Sequence, residues 1–338
     1  MKPVVLIAAL AATLPAPGAR AATKVVFAGY DGAPGAPLGT EPEGFYPDTI
    51  AIHPGDGVQW RFRGFHDVEF LAHGQKRPPF VIADPGAPVA GQSDAAGQPF
   101  WWGGQPALVE NPLIMRPLGG ATHSGRGGFN SGLPVSSYTL RFTKTGTYHY
   151  KDPVHPGVQG TVRVVSRRTR VPTKRQDNAL AAAEITRASD TGRDLVHAAP
   201  PPPGIVEVGR EAKGVAVNLF FPSQIALTAG DSLTFQVPRR GVELHTVTLG
   251  PEGASLVGRA AAGGRFDPLA AFPSDPPPAL PDYTGSNHGD GFLNTGLLDG
   301  DATTPLPGSA TIRFTTAGTY TLRDVLHPGM EATVDVSG

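Results

Sequence analysis

Apolar and polar residues alternate along this chain in short runs that end in Gly, Pro or Asp, and the runs occur in two matching series. Phe45-Tyr46-Pro47 leads through Ile50 and Ile52 to Gly55-Asp56, and Phe220-Phe221-Pro222 leads through Ile225 and Leu227 to Gly230-Asp231 at the same spacing. Each piece reads as an alternating strand that ends in a turn. Second strands follow at 58–62 and 233–237, and third strands at 68–71 and 247–249, with His66 and His245 just ahead of them. Later, 129–133 is answered by 292–297, and 140–143 by 312–315. Both series then pass through Gly-Thr-Tyr into a turn-rich loop and close on strands at 160–165 and 332–336. So many features in one order point to a duplication. They predict an all-β chain of two tandem Greek-key β-sandwiches, at 22–166 and 205–338.

Two stretches fall outside the repeat. Residues 167–204 open with Arg167, Arg168, Arg170, Lys174 and Arg175 and end at Pro200–203. Asp177-Asn178 is a capping signal for a helix running through Leu180, Ala183 and Ile185 toward Leu195, so the segment reads as a semi-rigid linker with one helix. Its basic run reads as a solvated surface, with a docking patch for an acidic partner as the alternative. The insert at 74–115 is long and loop-rich. Its Trp101-Trp102 pair reads first as a cap on a core or interface, and second as a sugar or partner platform.

Composition narrows the setting. The 338 residues include 44 glycines and 36 prolines, which suits short strands and many turns better than helical bundles. Residues 1–21 read as a secretory signal: Lys2, an apolar stretch from Val4 to Leu14, then Ala19-Arg20-Ala21. That stretch falls short of the roughly 20 residues a membrane span needs, and no later segment qualifies. The expected location is therefore secreted or periplasmic, with no lipid anchor on cysteine. The formal charge of −1 becomes −3 without the signal, which holds two bases and no acid. Nothing in this balance points to nucleic acid. The chain has no cysteine, so disulfides are excluded despite the expected export.

The chemistry is concentrated in the repeated loop. Gly318 to Met330 reads Gly-Thr-Tyr-Thr-Leu-Arg-Asp-Val-Leu-His-Pro-Gly-Met, and Gly146 to Val158 repeats its frame. With the upstream histidines and Gly-Asp turns, these loops resemble the metal loop of the cupredoxins, in particular bacterial two-domain plastocyanin-like proteins. The resemblance covers most of the chain outside the signal and linker, and it implies a copper site and electron transfer. On that pattern the second domain offers His245, Asp324, His327 and Met330, and the first offers His66, Asp152 and His155, with Val158 in place of methionine. The departure is that aspartate stands where the copper-binding cysteine should be, twice.

A carboxylate is a hard donor where a thiolate is soft. With two imidazoles it suits Cu(II), or Zn(II) as the alternative, and predicts a colourless or weakly coloured centre poorly fitted to fast electron transfer. Copper storage, sensing or delivery, with a redox or copper-trafficking protein as partner, is then at least as good a reading as electron transfer. Either aspartate could instead hydrogen-bond only to the backbone amides of its loop, leaving a metal-free scaffold that binds a protein or ligand. No His-x-His pair is present for a trinuclear oxidase centre, and no hydrolase or phosphate-binding motif stands out, so the chain is not expected to be an enzyme. His123 and His288, in equivalent glycine-rich loops, read as solvent-facing, or else as covers for the metal edges or ligands of a second ion.

Overall fold

The computed structural model describes residues 21–124, 128–132, 134–241, 243–302 and 304–338. The expected signal therefore lies outside the described residues except for Ala21. The expected all-β class and tandem sandwiches are what the structure shows.

In the first sandwich one sheet orders Phe45–Tyr46, Thr23–Ala28, Gly57–Phe62, Ser137–Phe142 and Thr122–His123. The facing sheet orders Phe129–Asn130, Glu69–Phe70, Gly146–Lys151, Gln159–Val164 and Thr49–Ile52. Alternation puts Val26, Ile50, Trp60, Leu140, Phe142 and Val162 between them, all essentially inaccessible. Burying each such side chain contributes about 1.5–3 kcal/mol. The second sandwich repeats the plan: Phe235, Leu249, Ile312, Phe314, Leu322 and Val334 lie in its core. In both halves the closing strand pairs in parallel with the strand after the Tyr-Pro or Phe-Pro step: Gln159–Val164 with Thr49–Ile52, and Glu331–Ser337 with Gln224–Thr228.

Three features join the halves. Thr40–Pro42, which precedes the first sandwich's Phe45–Tyr46 strand, pairs antiparallel with Val215–Phe221 and so becomes an edge strand of the second sandwich. Glu43 falls between the two, and its amide donates to the Gly214 carbonyl at 2.8 Å. The insert is more ordered than its composition predicts. Val81–Pro88 and Pro106–Glu110 form a hairpin that extends through Arg265–Phe266 of the second half. Trp102 is fully buried with Leu256, Ala270 and Phe292 of the second half, and Trp101 Nε1 donates to the Pro273 carbonyl, so the tryptophans cap an inter-domain core.

The third feature is the helix Lys174–Val196. It begins three residues before the predicted Asp177-Asn178 signal, because Thr173 and Gln176 form a reciprocal capping box. Asp177 is instead buried against Lys24 at 2.7 Å. Ala181, Ile185 and Ala188 pack with Tyr46 of the first sandwich and Val215 of the second. The segment expected to be a semi-rigid linker is thus a packed strut.

Candidate metal centre

Both loops fold alike. The Asp152 amide donates to the Val158 carbonyl and the Asp324 amide to the Met330 carbonyl, each at 3.0 Å. The Val158 and Met330 amides donate back to the carbonyls of His155 and His327. The turn turns each aspartate inward beneath the histidine three residues on. His66 and His245 arrive from the segments entering Glu69–Phe70 and Thr248–Leu249. The ring centroids of His66 and His155 are 4.6 Å apart, and those of His245 and His327 4.8 Å apart.

Each aspartate has two tasks. Asp152 Oδ2 meets Nδ1 of His66 at 2.8 Å and of His155 at 2.9 Å. Asp324 Oδ2 meets Nδ1 of His245 at 2.7 Å and of His327 at 2.9 Å. Oδ1 of Asp152 accepts from the Val154 amide, and Oδ1 of Asp324 from the amides of Thr246 and Leu326. Burial alone would raise these carboxyls. The adjoining imidazoles, His155 and His66 for Asp152 and His327 and His245 for Asp324, outweigh it and hold both well below the usual carboxylate range. An ionised carboxylate only accepts, so all four Nδ1 atoms carry hydrogen and each ring turns its Nε2 edge away from the aspartate.

Those edges converge between the sandwiches. His66 Nε2 is 3.2 Å, and His155 Nε2 3.6 Å, from Glu43 Oε2. Glu243 lies between the halves: Oε1 is 3.4 Å from His155 Nε2 and Oε2 is 3.4 Å from His327 Nε2. Glycines clear the approach. A Cβ on Gly29 would fall 1.8 Å from His66 Nε2, and one on Gly209 would fall 2.7 Å from His245 Nε2. Of these residues, His155, His327, Glu43 and Glu243 border a cavity of about 430 Å³ whose wall also includes Asp31, Glu41, Phe80 and Phe266. Burial lowers the affinity of His155 and His327 for a proton, but Glu43, Asp152 and Glu243 around the first, and Asp324 and Glu243 around the second, raise both well above the usual range. Glu243, with an imidazole on each oxygen, is held well below its usual value despite burial. Glu43 is pushed well above by burial, with His155 opposing and Glu243 adding to the rise.

The structure therefore groups six of the seven predicted site residues: His66, Asp152 and His155, and His245, Asp324 and His327. Met330 is buried in the second hydrophobic core with Val334 and Leu322. Sequence reasoning missed Glu43 and Glu243, because neither belongs to a repeated motif. The repeat places Asn218 opposite Glu43 and Gly64 opposite Glu243. Their one signal is that each stands within three residues of a matched element, at Phe45 and at His245. His123 and His288 are not solvent-facing. His123 is buried, stacked against Phe129 and Phe142. His288 is held by Asp94 and Asp275 at 3.0 and 3.1 Å.

Cysteine-type blue copper does not fit this donor set, because no thiolate exists and a carboxylate oxygen sits at hydrogen-bond distance from both Nδ1 atoms of each pair. A divalent ion on imidazole Nε2 and carboxylate oxygen does fit.

Among solved structures the chain is similar to amicyanin from Paracoccus versutus (Thiobacillus versutus), at 16% identity over 40% of this chain and 85% of that one, with a TM-score of 0.23. It is similar to auracyanin B at 20% identity over 40% and 87%, with a TM-score of 0.25. A mutant of amicyanin in its Cu(I) form gives 16% identity over 39% and 80%, with a TM-score of 0.22. No family model matches the chain, and no curated protein matches it.

Proposed function

We propose that this chain is an extracytoplasmic metal-binding protein in which each sandwich presents a carboxylate-oriented pair of imidazoles to a divalent ion, Cu(II) first and Zn(II) second. The observation that carries this is the shared Asp Oδ2 contact to both Nδ1 atoms in each half, at 2.7–2.9 Å. A carboxylate behind an imidazole fixes its tautomer and raises its basicity as a ligand, and losing it typically costs about 10–100-fold in metal affinity. Hard N/O donors stabilise Cu(II), so storage or delivery of copper suits this chain better than fast electron transfer. The role is binding and not catalysis. A copper-trafficking or redox partner would approach the cavity rim, where Leu38 and Phe65 are exposed.

Cu(II) titration of the full chain tests this. Binding without an intense visible band, weakened at least about tenfold by His155→Ala or His327→Ala, is expected. Equal uptake by wild type and a His155→Ala/His327→Ala variant would leave the fold as a metal-free interaction scaffold.

A further inference from the structure

We infer that the two imidazole pairs belong to one dinuclear centre spanning the domain interface, with Glu243 as the bridging carboxylate. This rests on the metal-binding reading above and goes beyond it, since independent sites in separate sandwiches would satisfy that reading equally.

Separation is the first argument. Donors about 2.1 Å from a tetrahedral ion lie about 3.4 Å from one another. The gaps from His66 and His155 Nε2 to Glu43 Oε2 are 3.2 and 3.6 Å, and those from Glu243 to His155 and His327 are both 3.4 Å. These gaps match the edges of such a tetrahedron, and three of the four exceed the usual 2.7–3.2 Å of an N–H···O hydrogen bond. The second argument is the division of Glu243: one oxygen faces the first sandwich and the other faces the second. The third is burial. Among the described residues, His245 Nε2 is fully buried and has no hydrogen-bond partner. Unpaired buried polar atoms are costly, and an ion would satisfy them. Carboxylates also outnumber what two imidazoles need: Glu41, Glu43 and Glu243 bring oxygens within 4.8 Å of one another.

The two halves are not equivalent. The first ion would have His66, His155, Glu43 and Glu243. The second would have His245, His327 and Glu243, with Asn218 at the place in the repeat that Glu43 fills. The first position would have one carboxylate more than the second, which would be left open toward the cavity that His327 and Glu243 line, with room for water or a small anion.

Copper titration of the full chain followed by electron paramagnetic resonance tests the bridge. Two Cu(II) per chain are expected, with an integrated spin well below two and a half-field transition from coupled ions. Glu243→Gln, which keeps the side chain's shape, and Glu243→Ala are expected to bind more weakly and to give spins that add. A thermal melt of each variant checks its folding. Two wild-type ions whose spins add fully would overturn the shared centre while leaving the metal-binding reading intact. One ion per chain would also overturn it. No copper uptake by the wild type would overturn both.

Discussion

At the residue scale, Asp152 and Asp324 hold the site together. A carboxylate at these positions decides where a metal could sit, since it occupies the Nδ1 side and turns the imidazoles outward by Nε2. Both Nδ1 atoms still face position 324, at 2.7 and 2.9 Å. Asp324→Cys is therefore expected to gather a thiolate and two imidazoles and to give an intense visible band with Cu(II), read by absorbance. A folded, copper-loaded, colourless variant would show that the loop does not point position 324 at the imidazoles. His123 makes a separate prediction. Burial among aromatic rings pushes its pKa down to about 4, against 6.5 for an ordinary histidine. The unfolded chain then takes up this proton before the folded chain does, so stability falls as pH drops from 6.5 toward 4 and levels off below. His123→Phe is expected to remove that decline, read as the difference in urea midpoint from wild type at pH 7 and pH 4.5. These roles differ in how far the sequence shows them. The aspartates were legible because they recur at the same place in both copies of a repeated loop. The burial of His123 was not, because it depends on Phe129 and Phe142, which reach it only through sheet pairing.

At the scale of elements, alternation and turn chemistry reveal most of the strands and both repeats, because a half-buried strand writes its pattern locally. They do not show which sheet an edge strand joins. Thr40–Pro42 leaves its own sandwich to pair with Val215–Phe221, and that exchange places Glu41 and Glu43 at the interface. Their place beside the imidazoles was therefore hidden in a long-range pairing. The helix illustrates the same limit. Asp177 has the chemistry of a cap, yet it is used in a buried ion pair with Lys24, while Thr173 caps. Thr173→Ala is expected to lower stability by about 1 kcal/mol, as loss of an N-cap does. Chemical denaturation would check this. An unchanged midpoint would mean that packing of Ala181, Ile185 and Ala188 holds the helix without its cap.

At the scale of the whole molecule, two sandwiches, an exchanged edge strand, a strut helix and a hairpin insert fix one internal face against another. Each half alone presents two imidazoles and an aspartate. Only the joined pair brings Glu243 against an imidazole of each set, so the chain's electrostatics make sense at this level: His155 and His327 above their usual range, and Glu243 below its own, stabilise one another across the seam. The same arrangement would release protons as a cation replaces them. The central claim is that metal lies on the Nε2 side, between the sandwiches. Anomalous diffraction from a crystal of the copper-loaded full chain tests it most directly. The expected result is anomalous density in the space bounded by His155, His327, Glu43 and Glu243. Density on the Nδ1 side, beside Asp152 or Asp324 within a single sandwich, would contradict the account.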